Sequence, residues 1–379
     1  MELYTILKLV WVLLLGALLS GVGIMMGMDM GVGALLRFVG RNDAERRVAL
    51  NIIGPHWEGN QVWFILGGAL LFAAFPTLYA TSFSVFYVVM ILLLFSMILR
   101  PIAFEYRSKV PAQNWRASWD WVFLISGAVP MILFGAAMGN VLEGVGFHFD
   151  WNGQYHQDGS FLWYILNPFA LLCGFVSLAL AVYQGGAMLM LRAEGVIYIR
   201  ARRFATAAGM IAALLFFAGG VWVHGINGYS LGAGVNPAME ATPVRAVLVT
   251  TAPGAWLRNF EAHHLLWAVP ATGLLAMLLG AGLLRANRPV LGWWLGALAW
   301  VATIATAGGA MFPFLMPSST SPGQSLTLWN ATSSCYTLGW MLFFTSIFLP
   351  IIVAYTSWVF AVMRGKVRAE DVTGNDHAY

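Results

Sequence analysis

The sequence predicts an all-α integral membrane protein with nine transmembrane helices. Three observations support this prediction: the composition, the number of long apolar runs, and the distribution of basic residues between the runs. Hydrophobic residues make up 60% of the 379 residues and charged residues only 9%, whereas a soluble domain usually has about 25% charged residues. A chain with a mean hydropathy of +0.75 cannot cover itself with a polar surface, so its helices must face lipid.

Nine apolar runs approach the length of about 20 residues that a helix needs to cross the hydrocarbon core. The first, fifth and ninth runs are long enough to tilt or to continue beyond the bilayer. The second run is short unless Pro55 to Asn60 forms its first turn, which proline tolerates at a helix start. The runs lie near residues 5–36, 61–77, 80–103, 119–140, 161–191, 204–225, 262–284, 290–314 and 336–363.

Basic residues gather in alternate connections between the runs. Of the 20 Lys and Arg residues, all except Lys8, Arg245 and Arg258 lie in one alternating set of segments. Because cytoplasmic connections are enriched in Lys and Arg, we expect the N-terminus outside the cell and the C-terminus in the cytoplasm. The outer connections are then residues 141–160, 226–261 and 315–335, which are rich in turn-forming residues.

The composition argues against several classes of function. The net charge of +4 reflects the basic residues gathered on one membrane face, and no basic run suited to nucleic acid is present. Cys173 and Cys335 are isolated, which argues against a disulfide framework or a cysteine metal site. Glu2 and Lys8 precede an apolar run without a small-residue cleavage site, so we expect no removable signal peptide.

Polar side chains are concentrated in the stretch GPHWEGNQVW at residues 54–63. It sets an imidazole, a carboxylate and two amides between apolar runs, and Asp29 interrupts the first run. Ionisable groups at such places are energetically costly, so each is a candidate for a functional site. The predicted topology brings four charged residues to a similar depth at the cytoplasmic ends of the first four helices: Asp29, Glu58, Arg100 and Asp120.

Two interpretations of these polar residues stay open. The first is structural, because charges buried in membranes are mostly paired and these would neutralise one another and fix helix packing. The second is functional: the carboxylates, His56 and the amides would form a polar inlet that relays protons from the cytoplasm or holds the polar head of a lipid-soluble ligand. Arg100 favours negative charge on its neighbours, whereas burial opposes it, and the sequence does not decide between these effects.

A secondary transporter with a polar site at the inner ends of helices one to four is the alternative class of function. Transporters also have many spans, glycine-interrupted helices such as the segment from Gly27 to Gly33, and buried charges. Two observations count against this alternative: no inverted repeat is visible, and the charged residues lie toward one membrane surface rather than at the midplane. A scaffold that only positions a partner is a third interpretation.

A series of motifs runs through the chain from the first span to the last. In order, they are MDMGVG at 28–33, GRND at 40–43, ERR at 45–47, PHWEGNQVW at 55–63, Arg100-Pro101 with Tyr106-Arg107, Trp119-Asp120, MFPFLMPSS at 311–319 and LTLW at 326–329. Together they resemble subunit II of the bacterial cytochrome bd quinol oxidases. Agreement in this order is far more specific than any single motif.

The resemblance implies a nine-helix fold of two four-helix bundles plus one additional helix. The first bundle would span about residues 1–140, the second about 161–314 and the last helix about 336–363, in one membrane domain of residues 1–379. It also implies a complex in the bacterial inner membrane that oxidises quinol and reduces O2 to water. This chain would be its non-catalytic subunit, with haem b and haem d in a partner subunit I. A small third subunit, membrane lipid and a bound quinone are the other partners considered.

The resemblance also assigns positions to the polar stretch. Residues that match Asp29, Trp57, Glu58, Arg100 and Asp120 are associated in the family with a proton inlet or with a bound quinone. Two departures concern the acids: Met26 stands where the family commonly has an Asp, and Glu58 stands where Asp is frequent. The candidate residues for proton transfer or quinone binding are therefore Asp29, His56, Trp57, Glu58, Arg100 and Asp120.

Haem ligation by this chain itself is not expected. Haem iron needs an axial ligand that faces a pocket, and a lone histidine near a helix end is more often an interfacial residue with a hydrogen bond. The methionines of the first run have no His or Cys beside them, so no metal site is expected. The histidines are His56, His148, His156, His224, His263, His264 and His377.

Overall fold

The computed structural model describes residues 2–160, 163–232, 235–238, 240–242 and 247–372. Arg245 and His377 lie outside these ranges. Within the described residues, eight helices are long and apolar enough to cross a membrane, and a ninth span is present if a sharply bent pair of helices is counted as one. The predicted class, an all-α membrane protein with nine spans, is confirmed.

The first helix, α1, runs from Glu2 to Val39. A π-helical turn at Val22–Met26 interrupts its α-helical hydrogen bonding, and such a turn shifts the faces of the two halves relative to each other. A shorter amphipathic helix, α2, follows at Asp43–Ile53, where the side chain of Asn42 caps its first turn by accepting from the backbone N–H of Glu45. The sequence did not predict α2, because its polar face reads as a connection.

The second span is a bent pair of helices. Helix α3 covers Trp57–Ala74 and helix α4 covers Pro76–Val85, with a bend of 118° between them. Proline disfavours a helical conformation at the preceding residue, and Phe75 has φ −133° and ψ 61°. The sequence suggested a first turn from Pro55 to Asn60; in the structure α3 begins at Trp57, and Pro55 and His56 lie in the turn before it.

The third span differs from its prediction near residues 80–103. Its helix, α5, covers Tyr87–Tyr106, because residues 76–85 belong to the bent pair. The fifth predicted run, 161–191, is also divided, since Asn167 caps a new helix by accepting from the N–H groups of Phe169 and Ala170.

The remaining long helices follow the predicted runs, with ends that differ by several residues, and short helices lie beside or after them. They are α6 at Gln113–Glu143, a short α7 at Trp163–Leu166, α8 at Pro168–Arg192, α9 at Gly195–Val223, a short α10 at Arg258–Ala262, α11 at Ala268–Arg285, α12 at Pro289–Met311, α13 at Cys335–Val362 and a short α14 at Ala369–Val372. Helix α9 begins well before the apolar run at 204–225. Its first turns carry basic residues, so hydropathy did not include them in the run.

Helices α1, α6 and α8 pack closely at glycines. A Cβ on Gly31 would overlap the carbonyl of Ala181, and one on Gly127 would overlap the carbonyl of Met30, so these glycines let the backbones touch. Helix α8, which falls in the second predicted bundle, also packs against α9 and α12, so it contacts helices of both predicted bundles. The division into bundles at 1–140 and 161–314 stays a prediction.

One end of the helices is covered by the three long connections, which together form what we call the loop cap. Each connection contains a two-stranded antiparallel hairpin. The strands are β1 at Phe147–Phe149 with β2 at Tyr155–Gln157, β3 at Asn227–Leu231 with β4 at Val249–Pro253, and β5 at Phe314–Met316 with β6 at Leu326–Thr327. Lys8 of α1 is buried beneath the cap, where it donates to the carbonyls of Pro237 and Trp329, both at 3.1 Å.

The other end, which we call the basic end, carries most of the arginines and the C-terminal segment. Lys366 donates to the carbonyls of Met190 and Ala193 at 3.2 and 3.0 Å. The backbone N–H of Val367 donates to the carbonyl of Arg192 at 2.8 Å. These bonds tie the segment after α13 to the end of α8.

Candidate functional site

A buried polar cluster lies toward the basic end, where α1, α3 and α5 meet. Asp29 of α1, Asn60 of α3 and Arg100 of α5 are each 1% exposed, and His56, which precedes α3, is 3% exposed. We call these four residues the Asp29 cluster. Because they are removed from water, their polar atoms depend on partners within the protein.

The amide of Asn60 joins the carboxylate to the imidazole. Its Nδ2 donates to Oδ2 of Asp29 at 2.9 Å and to Nδ1 of His56 at 3.1 Å. An imidazole that accepts at Nδ1 is neutral and carries its proton on Nε2. Burial is the largest of the causes that lower the pKa of His56 to about 4, and the nearby charges of Arg192 and Arg100 act in the same direction. The ring is therefore neutral at physiological pH.

Three atoms of the Asp29 cluster find no hydrogen-bond partner among the described residues: Oδ1 of Asp29, Nε2 of His56 and Nη2 of Arg100. Oδ1 of Asp29 lies 3.6 Å from Nδ1 of His56, which is too far for a hydrogen bond. Buried polar groups in folded proteins are nearly always satisfied, and exceptions often mark functional sites.

Arg100 attracts the carboxylate of Asp29 electrostatically, but its closest described contact is with a sulfur. Its Nη1 lies 3.1 Å from Sδ of Met30, and thioether sulfur is a weak acceptor. Its guanidinium lies 5.9 Å from the ring centre of Trp57. Nη2 of the guanidinium can therefore still donate a hydrogen bond.

Aromatic rings enclose the cluster. Trp57 is 6% exposed and stacks on Phe104 of α5, with ring centres 5.1 Å apart and planes 7° from parallel. The ring of Phe360 from α13 lies 4.7 Å from the ring of His56. Apolar walls of this kind strengthen the electrostatic interactions that they surround.

Asp120 lies in a different group of charges, which we call the ion-pair network. Its two carboxylate oxygens accept from Arg46 and Arg107, each at 2.7 Å. Asp43 accepts from Arg107 at 2.9 Å and from Arg116 at 2.6 Å. The network joins the start of α2, the end of α5 and the first turns of α6.

The sequence placed Asp120 at a similar depth to Asp29, Glu58 and Arg100, and the structure separates it from the Asp29 cluster. Among the described contacts, none joins Asp120 to the Asp29 cluster. The physical reason is α2, which brings Asp43 and Arg46 to the basic end and supplies Asp120 with a partner that the sequence did not reveal.

Glu58 occupies a third environment. It is exposed in the first turn of α3 and makes no hydrogen bond or ion pair within the described part of the chain. It is two residues from His56, so an exposed acid lies close in the chain to the buried cluster. The structure thus brings together Asp29, His56, Trp57 and Arg100, leaves Glu58 at the adjoining surface and places Asp120 elsewhere.

Sequence reasoning missed the central role of Asn60. The signal was present, because Asn60 follows His56 by four residues, which puts both on one face of a helical turn. Arg46 and Arg107 were also missed as the partners of Asp120. They lie in the ERR and Tyr106-Arg107 motifs, but only the folded contact between α2, α5 and α6 reveals the pairing.

Two cavities lie apart from the Asp29 cluster. A cavity of about 320 Å³ lies beside the π-helical turn, and its lining includes Ser20, Met25 and Trp63. A second cavity of about 390 Å³ lies between α9 and α11. Neither includes a residue of the Asp29 cluster. In the described residues, no three His, Cys, Asp or Glu side chains are grouped as a metal site would require.

Comparison with known proteins links this chain to one family along almost its whole length. The family described as cytochrome bd terminal oxidase subunit II matches residues 7–363. The chain is 43% identical over 376 residues to cytochrome bd-I ubiquinol oxidase subunit 2 of Escherichia coli strain K12, covering 99% of each chain. It is 41% identical over 376 residues to the probable cytochrome oxidase subunit 2 of Haemophilus influenzae, again covering 99% of each.

The fold is also found in a solved structure. The bd oxidase from Geobacillus thermodenitrificans contains a chain that matches with a TM-score of 0.67, covering 94% of this chain and 98% of that chain. Since the sequence identity is 14%, this likeness concerns the fold alone.

Proposed function

The chain belongs to the cytochrome bd terminal oxidase subunit II family, and from that premise we propose that it conducts protons through the Asp29 cluster toward the haem-bearing subunit of the complex. Members of this family are subunits of a quinol:O2 oxidoreductase of the respiratory chain. Reduction of O2 to water consumes protons, so such a complex needs a polar route from the aqueous phase into the membrane.

The observation that carries the proposal is the state of Asp29. Its carboxylate is 1% exposed, and its Oδ1 has no hydrogen-bond partner among the described residues. A carboxylate that served only to fix helix packing would have both oxygens satisfied, as Asp120 does. A carboxylate oxygen that accepts no hydrogen bond can bind a proton and release it again.

Each residue has a distinct part in this mechanism. Glu58 is the exposed acid that exchanges protons with the aqueous phase at the basic end. Asp29 is the buried acid that receives the proton at Oδ1 and gives it up toward the partner subunit. Asn60 holds the carboxylate against the ring of His56, and Arg100 stabilises the negative charge that remains when the proton has left. Trp57 shields the route from lipid.

Proton transfer is proposed in preference to a bound quinone because the atom of the cluster that has no described donor, Oδ1 of Asp29, belongs to an acid, which can carry a proton. A secondary transporter is not favoured, because the family match spans nearly the whole chain.

We propose that the chain lies in the bacterial inner membrane with its basic end in the cytoplasm. The support is the segregation of Lys and Arg, which in multi-pass proteins favours the cytoplasmic side. Asp29 and Glu58 then take protons from the cytoplasm. The loop cap faces the opposite side of the membrane.

The face of α13 is the proposed contact with subunit I, in which haem b and haem d are expected to lie. Only 6% of the apolar window of α13 is buried within this chain, against 67% for α8. Its exposed rings include Trp340, Phe343 and Phe344. Phe360 of the same helix packs on His56, so a partner on α13 would lie close to the Asp29 cluster.

Co-purification tests membership of the complex directly. A tagged copy of this chain, purified in mild detergent, should bring a second membrane polypeptide with haem absorbance. Quinol-driven oxygen uptake should require both polypeptides. A lone, colourless protein that moves solute into liposomes would instead establish a transporter.

A Glu58→Gln variant tests the proton route, because it keeps the shape of the side chain and removes the acid. We expect the assembled complex to retain its haem and to lose about tenfold in oxygen uptake. Glu105→Gln is the matched control, since Glu105 is also an exposed acid near the basic end and lies outside the cluster. Equal turnover and proton uptake in the two variants would exclude Glu58 from the proton route.

A further inference from the structure

The cavity between α9 and α11 is a strongly cationic pocket. Three of its six lining side chains are arginines, and none is acidic. Its volume is about 390 Å³. The lining residues are Arg202, Arg203, Thr206, Ala207 and Met210 of α9 and Arg285 of α11. It lies near the basic end, away from the Asp29 cluster.

One arginine of the pocket is fixed by the neighbouring turn. Arg202 donates through Nη1 to Oδ1 of Asn287 at 2.6 Å, and the hydroxyl of Tyr198 donates to the same oxygen at 3.3 Å. Asn287 lies between α11 and α12 with φ 59°, a left-handed conformation that Asn adopts more readily than most residues. The turn therefore holds the Arg202 guanidinium at the pocket before any ligand arrives.

The other polar groups of the pocket have no described partner. Arg203 and Arg285 are exposed and make no hydrogen bond or ion pair within the described residues. The hydroxyl of Thr206 is buried and likewise lacks a partner there. Arginines are common on a cytoplasmic membrane face without any ligand. A buried hydroxyl that lacks a hydrogen-bond partner among three arginines is uncommon, and it indicates that a ligand binds there.

Exposed apolar side chains of α9 and α11 continue from the pocket toward the middle of the membrane, and we call the surface that they form the groove. On α9, Met210, Leu214 and Phe217 are 50%, 67% and 59% exposed, and they follow Arg203 by 7, 11 and 14 residues, a spacing that puts them on one helix face. On α11, Leu278 is 51% exposed and lies two turns from Arg285 on the same face. A ligand bound by the arginines would have apolar surface directly beneath it.

We propose that this pocket binds the phosphate headgroup of an anionic phospholipid, whose acyl chains lie along the groove between α9 and α11. Guanidinium groups bind phosphate oxygens through paired, charge-assisted hydrogen bonds, and Thr206 adds a hydroxyl donor. Basic pockets between membrane helices suit such headgroups. A free phosphate ion carries the same charge but makes no use of the groove.

Photo-crosslinking tests this proposal on the assembled complex with its partner subunit. The complex is delipidated in neutral detergent and titrated with phosphatidylglycerol that carries a diazirine in one acyl chain. We expect saturable labelling of α9 and α11 peptides. Arg203→Gln with Arg285→Gln should raise the half-saturating lipid concentration about 25-fold, since each basic side chain near a membrane surface contributes about fivefold. Lys at both positions should restore only part of the labelling, because it keeps the charge but not the paired hydrogen bonds.

The matched control is Arg41→Gln with Arg364→Gln, which removes the same charge from exposed positions near the basic end. It should label like the unmodified complex. Unlabelled phosphatidylglycerol should compete, whereas phosphatidylcholine and inorganic phosphate should compete much less. Equal labelling of the two double variants would overturn the proposal. Equal competition by phosphatidylcholine would reduce the pocket to a general lipid contact, and equal competition by inorganic phosphate would make it a site for the free ion.

Discussion

The Asp29 cluster and the ion-pair network each contain a buried carboxylate, and the two carboxylates differ in the hydrogen bonds that they accept. Asp29 is 1% exposed and Asp120 is 0% exposed. Asp120 has an arginine at 2.7 Å on each oxygen, whereas Asp29 has one amide donor on one oxygen and no described partner on the other. We propose that complete pairing holds helix ends together and that incomplete pairing leaves a site where a proton can bind. The two effects should separate in mutants.

Removing the charge of Asp120 should have the largest effect, and the effect should be on assembly. Asp120→Asn leaves Arg107, whose side chain is 1% exposed, without its strongest partner. Breaking a buried ion pair in this way typically costs about 3–5 kcal/mol. We expect a sharp fall in the yield of haem-containing complex and in its thermal stability.

The control for Asp120 is an exposed ion pair near the same end. Glu194 lies 3.3 Å from Arg368, and their side chains are 48% and 61% exposed. Glu194→Gln should change stability by less than about 1 kcal/mol. Normal yield and thermal stability for Asp120→Asn would show that the network is dispensable and would remove the contrast with Asp29.

Removing the acid of Asp29 should act on turnover instead. Asp29→Asn keeps the size of the side chain and cannot carry a proton. The complex should assemble with a normal haem spectrum and lose at least about tenfold in quinol-driven oxygen uptake, as expected for a proton-transfer group. Asp29→Glu should recover part of the rate. Full turnover in Asp29→Asn would mean that this carboxylate serves packing, as Asp120 does.

Removing the bridge should have a smaller effect than removing the acid. Asn60→Ala deletes the donor to Asp29 and His56 but leaves both titratable groups in place. A hydrogen bond of this kind contributes about 1 kcal/mol, so we expect oxygen uptake to fall about fivefold. Stopped-flow measurement of proton uptake should show the same reduction. A loss as large as that of Asp29→Asn would make Asn60 an essential part of the route.

The loop cap should give the smallest effect, because its charges face water. Asp158 accepts from Nδ1 of His148 and from the hydroxyl of Thr320, both at 2.8 Å, and these bonds hold its pKa below the usual 3.8. Since the folded-state pKa is depressed, the stabilisation is complete above about pH 4 and is lost as the pH falls through the folded-state value.

Hydrogen exchange can measure this change at the β1–β2 hairpin. Protection factors at Phe147–Phe149 should fall modestly below about pH 4, while the Asp29 cluster and the network stay protected. In Asp158→Asn the protection should be lower and independent of pH in that range. A hairpin that keeps its protection at low pH would show that the strands alone suffice.

The sequence predicted the class and the approximate number of spans, because these depend on summed hydropathy and on the length of the apolar runs. It did not predict α2, whose polar face resembles a connection, or the bend at Phe75, whose 118° depends on how α3 and α4 pack. Asp29, His56 and Arg100 were singled out as polar or charged residues beside apolar runs, and Trp57 through the resemblance to the family. The partners of Asp120 could not be, since ion pairing is set by contacts between helices far apart in the chain.

The burial of Lys8 beneath the loop cap has a consequence for how the protein is made. Its ammonium donates to the carbonyls of Pro237 and Trp329, and Tyr4 donates to the carbonyl of Ser333 at 2.8 Å. The ribosome completes α1 long before these residues exist. The first helix therefore enters the membrane before these contacts can form. It can complete them only after the final outer connection has been synthesised.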